Sequence, residues 1–137
     1  MRNIKPHIIK FEKKGNLPEG YLSIVDCEKN HFFKVKRTYW TYSTPSDIIR
    51  GKHAHKKSFQ ILVAVSGEIE VELIDINLNT MKFILNNPNE GLLIPPNYWH
   101  TMKYSTGAVQ LILSSTSYSL DDYIRDFNDF LNYWKNK

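Results

Sequence analysis

The chain of 137 residues has a single cysteine, Cys27, so no intramolecular disulfide can form and the composition fits a reducing compartment. A lone small thiol of this kind reads as a buried hydrophobe rather than a nucleophile. No run approaches the roughly 20 apolar residues of a membrane span, and the opening MRNIKPHIIKFEKKG lacks both an apolar core and a small-residue cleavage site. The expectation is a cytoplasmic protein with no membrane partner. Glycine-rich phosphate loops, internal repeats and low-complexity segments are missing as well. Charge of one sign is only mildly in excess, with a net +4 and a pI near 9.1, and the basic residues form short clusters such as Lys34, Lys36 and Arg37. That argues against nucleic acid and remains compatible with a phosphorylated small molecule.

What is present is apolar, aromatic and strand-like. With 42% hydrophobic and 13% aromatic residues the chain supports one packed domain over 1–137. Strands are expected from Ile8, over Leu22 to Val25, and over Phe32 to Tyr42, where Arg37, Tyr39 and Thr41 share one face. Polar turns are expected at Glu28-Lys29-Asn30, at Thr44 to Asp47 and at Asn77 to Asn79. Ser66-Gly67 reads as a tight hairpin joining the stretch His53 to Val65 to the alternating run Ile69 to Ile74. Met81 to Leu85, Gly91 to Ile94, Trp99 to Tyr104 and Val109 to Leu113 complete a succession of short strands, which argues an all-β sandwich or barrel over about 8–116. After it, Ser119 and Asp122 fit a capping box, and Leu120, Tyr123, Ile124, Phe127, Phe130, Leu131 and Trp134 recur at helical spacing. One amphipathic helix is expected over about 119–135.

The chemistry concentrates in two runs. In RGKHAHKKSFQILVAVSG, Arg50 to Gly67, His53 and His55 lie two apart and therefore share a strand face. Gln60 and Gly67 follow at fixed spacing. In GLLIPPNYWH, Gly91 to His100, a proline turn delivers a third histidine. Together these fit the two-part signature of the cupin barrel, a double-stranded β-helix of jelly-roll type. Three converging histidines allow a metal centre, acid–base chemistry, or plain hydrogen-bonded packing. Many cupins place a carboxylate where this chain has Gln60; an amide is a poorer ligand and offers no charge against a divalent ion, so no metal is expected. Acid–base work needs only a neutral imidazole and a partner for oxygen, and Tyr39 is the candidate donor. Arg37 and Arg50 are candidate anion ligands, and Gln60, Trp99 and His100 complete the expected substrate contacts.

The runs KRTYWTY (Lys36 to Tyr42), RGKHAHK (Arg50 to Lys56), GLLIPPNYWH and DDYIRDFNDF (Asp121 to Phe130) resemble the sugar 3,4-ketoisomerases, the WxcM-like cupins, from about Leu22 to the C-terminal helix. The resemblance implies action on a dTDP-linked 4-keto-6-deoxy sugar, in the making of deoxyamino sugars for surface glycans such as O-antigen. It implies no cofactor, and a homodimer that exchanges an N-terminal strand. By position, His53 matches the catalytic histidine, His55 its companion and Tyr39 the catalytic tyrosine, while Trp40 replaces a second tyrosine. The usual Arg-Gly-x-Leu run is replaced by Glu19-Gly20-Tyr21-Leu22 or by Lys14-Gly15-Asn16-Leu17, which leaves the configuration at sugar carbon 4 open. The alternatives are a metal-dependent cupin enzyme and a non-catalytic sugar-nucleotide-binding cupin.

Overall fold

A computed structural model of the chain describes residues 3–29 and 32–137. Two five-stranded antiparallel sheets face each other. The first has the order β1(His7–Lys10), β9(Glu90–Ile94), β6(Gln60–Ser66), β11(Val109–Ser114), β4(Arg37–Thr41). The second has β12(Tyr123–Ile124), β5(Ile49–His55), β10(Trp99–Tyr104), β7(Ile69–Ile74), β8(Thr80–Leu85). A separate hairpin, β2(Glu12–Asn16) and β3(Gly20–Ile24), stands outside both sheets, and α1(Phe127–Lys135) closes the chain. This is the expected all-β cupin barrel with one C-terminal helix.

Alternation explains the layers. On β7, Ile69, Val71 and Leu73 are fully buried between the sheets with Leu62, Leu92 and Ile112, while Glu70 and Glu72 face outward. β6 is buried on both faces. Gln60, Leu62 and Ala64 point between the sheets, and Ile61 and Val63 meet a second cluster with Ile9, Phe11, Leu93 and Leu113. A third cluster, Ala54, Trp99, Ile124 and Phe130, lies under α1. Each fully buried aliphatic side chain contributes roughly 1.5–3 kcal/mol of burial.

Several expectations change. Ser66-Gly67 is not a hairpin: β6 and β7 belong to different sheets, and the turn carries the chain from one to the other. Gly67 has φ +72°, and a Cβ there would lie 2.8 Å from Ala108 Cα, so glycine is required by space as well as conformation. The strand expected over Phe32 to Tyr42 pairs only over Arg37–Thr41, because β11 ends at Ser114; Phe33 and Val35 pack on the second cluster without a ladder partner. In the expected turn at Glu28 to Asn30, the Asp26 carboxylate accepts from the amides of Glu28 and Lys29, and Asn30 lies outside the described residues. Cys27 sits in that turn and is exposed, since no element among the described residues covers it. The helix begins at Phe127 rather than near Ser119. Its N-cap is Asp126, which accepts from the Asp129 amide, while Leu120–Asp122 form a single 3-10 turn and Tyr123–Ile124 add to the edge of β5.

Candidate active site

The site is built on β5 and β10. Strict alternation from His53 would put Arg50 on the opposite face. A bulge prevents that: Gly51 and Lys52 both have positive φ, at 86° and 57°, and Lys52 has no partner while His53 pairs with His100 and Gly51 with Thr101. A Cβ at Gly51 would lie 2.7 Å from the His100 carbonyl oxygen. Arg50 and His53 therefore line the same cavity, of about 80 Å³, together with Tyr39, Gln60, His100, Tyr104 and Gln110.

Three imidazoles cluster at this point, His53 and His100 lining the cavity and His55 beside them. The His53 and His100 rings lie 4.4 Å apart and His53 and His55 5.1 Å apart, and ring nitrogens of all three fall within 4.8 Å of one another. Hydrogen bonds assign the protons. Nδ1 of His53 lies 3.0 Å from the Gly51 carbonyl oxygen, which only an N–H can bond, so the lone pair of neutral His53 is on Nε2. That lone pair faces Nε2 of His100 at 3.1 Å, and His100 Nε2–H is the donor between them. Burial lowers His53 to about 4, against the opposing Gly51 bond, and burial with the neighbouring rings holds His100 well below the ordinary imidazole value; both are neutral at pH 7. Tyr39 goes the other way. Burial, with the Tyr123 phenol beside it, raises its hydroxyl to about 12, although the Gln60 amide donates to that hydroxyl at 3.0 Å. Gln60 is thus a support for Tyr39.

Arg37 stacks over the rings of Tyr39 and Tyr118, at 5.0 and 5.4 Å, and its buried Nε has no partner. Among the described residues no carboxylate pairs with Arg37 or Arg50, which leaves both guanidinium groups available for an anion. Trp99 is not part of the site. Neighbouring residues on a strand face opposite ways, so His100 turns inward and Trp99 packs on Phe127 and Phe130 beneath α1.

Sequence reasoning missed two contributors. Asp122, read as a helix cap, is buried and accepts from His55 Nδ1 at 2.8 Å, from Ser58 Oγ at 2.5 Å and from the Lys57 amide at 2.7 Å. Burial alone would raise its carboxyl; these donors overcome that and hold it well below the usual carboxylate range. Tyr123, read as helical, places its ring 4.6 Å from His55 and 5.1 Å from His53, under the Arg125 guanidinium at 4.7 Å. Both belong to the DDYIRD run. Only their role was hidden.

As a metal site the histidine trio is a neutral donor set, since Asp122 is committed to the Nδ1 side of His55 and Gln60 to Tyr39. As acid–base machinery it is complete: imidazoles with lone pairs, and a phenol that keeps its proton.

Comparison with known proteins places the chain in a family. The family described as FdtA, WxcM-like, C-terminal, matches residues 4–135. The chain is 37% identical over 127 residues to a TDP-4-oxo-6-deoxy-alpha-D-glucose-3,4-oxoisomerase of Aneurinibacillus thermoaerophilus, covering 92% of this chain and 90% of that one. The crystal structure of QdtA, a sugar 3,4-ketoisomerase from Thermoanaerobacterium thermosaccharolyticum in complex with TDP, superposes with a TM-score of 0.90 at 32% identity, covering 96% of this chain and 95% of that one. A 3,4-ketoisomerase from Helicobacter canadensis gives 0.89 at 37% identity, covering 97% and 99%. The chain belongs to the WxcM-like family, whose matched members here are sugar 3,4-ketoisomerases.

Proposed function

We propose that the protein isomerises dTDP-4-keto-6-deoxyglucose to a dTDP-3-keto-6-deoxyhexose, supplying the sugar from which deoxyamino units of surface glycans are made. The observation that carries this is one cavity holding a histidine kept neutral and a phenol kept protonated. The C3 proton is acidified by the neighbouring carbonyl, so the protein need supply only base, acid and positioning. His53 takes that proton, its Nε2 turning from His100 to the sugar. Tyr39, steadied by Gln60, protonates the oxygen at C4, and an enediol results. Return of a proton to C4 and loss of the hydroxyl proton at C3 give the 3-keto sugar. Arg37 and Arg50 hold the diphosphate, and His55 and His100 complete the acid–base cluster.

The reading includes a cytoplasmic homodimer. The β2–β3 hairpin supports a second copy: Leu17, Tyr21 and Leu22 on it are 85%, 52% and 55% exposed, a large apolar surface for a two-stranded unit lying outside both sheets. In this chain β1 pairs with its own β9, so an exchanged strand would re-form the same ladder between subunits. Both candidate substitutes for the Arg-Gly-x-Leu run lie on the hairpin, where Lys14 pairs with Leu22 and Gly15 with Tyr21.

The test is proton NMR of the substrate in deuterated water with excess chelator, beside His53→Asn. The expected result is 3-keto sugar with deuterium at C4, slowed at least ~100-fold in the variant, the lower range for losing a positioned base. Turnover that requires added metal would move the assignment to a metal-dependent cupin enzyme. Nucleotide binding without turnover would make it a binding module.

A further inference from the structure

Of the buried side chains near the cavity, Asp122 has no part in the steps above, yet three donors converge on it. Its Oδ1 takes the Lys57 amide, and its Oδ2 takes both His55 Nδ1 and Ser58 Oγ; Thr116 in turn donates to Ser58. A carboxylate so saturated has no proton to give. Nδ1 of His55 must therefore be its N–H, which leaves the lone pair of neutral His55 on Nε2. That Nε2 is buried and has no partner. His53 is different, because its Nε2 lone pair already accepts from His100. The cluster therefore holds two unlike bases: one engaged by a neighbouring ring, the other free at Nε2 and tied through Nδ1 to a carboxylate.

We propose that Asp122 is a positioning residue that fixes His55 in the Nδ1–H tautomer, making His55 the base for the substrate's hydroxyl proton. The inference rests on the isomerase reading and gives His55 a defined part in it, that of proton acceptor. In the second half-reaction the O–H bond at C3 breaks and its proton goes to Nε2 of His55. The electron pair left on oxygen forms the C3 carbonyl, and the enediol double bond takes the proton that His53 carries onto C4. His55 then returns its proton to the Tyr39 phenolate left by the first half-reaction. Every group is restored and no proton is gained or lost.

The test compares the whole wild-type protein with Asp122→Asn, His55→Gln and the double variant, by kcat and KM and by nitrogen-15 NMR of the histidine rings. Expected are a wild-type His55 protonated on Nδ1, loss of that tautomer in Asp122→Asn, and a kcat fall of roughly 100-fold with KM within about threefold, as for a lost acid–base group. Because Asp122 acts through His55, the double variant should be no slower than His55→Gln alone. Multiplying losses would reveal a merely structural carboxylate and overturn the proposal, as would kcat within threefold of wild type in folded Asp122→Asn. A wild-type His55 protonated on Nε2 would overturn it even if no Asp122 variant folds. Should wild type leave the sugar unchanged, the isomerase reading fails by itself, and the ring spectra still decide whether Asp122 sets the tautomer.

Discussion

The two halves of the second sheet treat polar groups in opposite ways. In the β7–β8 half, Ile69, Val71 and Leu73 face in, Glu70 and Glu72 face out, the ladder from Ile69–Leu85 to Ile74–Thr80 runs without a shift, and the Glu70–Lys82 pair sits in solvent at 2.9 Å. In the β5–β10 half, the ladder is broken by a bulge, two adjacent residues hold positive φ, and buried ring nitrogens of His55 and His100 lack partners. The first half keeps its pairing regular and confines its positive-φ residue, Leu78, to the connecting turn. The other departs from that regularity where imidazoles must converge on a cavity, which is where departures are expected in a working protein.

The contrast predicts which property each half controls. Tyr39→Phe removes the proton donor and frees the Gln60 amide, and kcat should fall ~100-fold or more with the melting temperature little changed, since the aromatic packing survives. Equal losses of activity and stability would erase the distinction. Leu73→Ala, in the regular half, should cost about 2–5 kcal/mol in denaturant unfolding while the folded fraction keeps its turnover.

Acid pH should act on the site half. His53 and His100 are held below the unfolded value of about 6.5, so between that pH and about 4 the unfolded chain binds more protons than the folded one. Stability is complete above about pH 6.5 and declines as the pH falls toward 4, a slope that urea titrations across this range will read and that His100→Gln should flatten. Asp122 adds a separate loss at lower pH, since its folded value is depressed and its contribution vanishes as the carboxyl protonates. The smallest effect belongs to Glu70→Gln: the pair with Lys82 is exposed, so no measurable shift in melting temperature is expected, and a clear one would show that the regular half also stores stability in charge.

Much of this was legible in the chain. The period-two pattern of Ile69, Val71 and Leu73, the shared face of His53 and His55, and the third histidine after the proline turn each follow from strand geometry. Trp99 was misread because spacing identifies residues near a motif but not which side of a strand faces the cavity. Cys27 was misread because composition favours burial for a thiol, and the turn that exposes it is local. Asp122 was misread because Ser-x-x-Asp fits a cap equally well, and only a contact 67 residues away reassigns it.

Sequence alone therefore determined the class of fold, the histidine trio and the phenol opposite it, because alternation and motif spacing are short-range and survive without tertiary context. Tertiary structure decided that Gly51 and Lys52 bulge so that Arg50 joins His53, that Ser66-Gly67 crosses between sheets, and that the tail brings a carboxylate behind His55. These depend on which strands become neighbours. That is settled by the collective burial of two sheet faces, which no local pattern encodes.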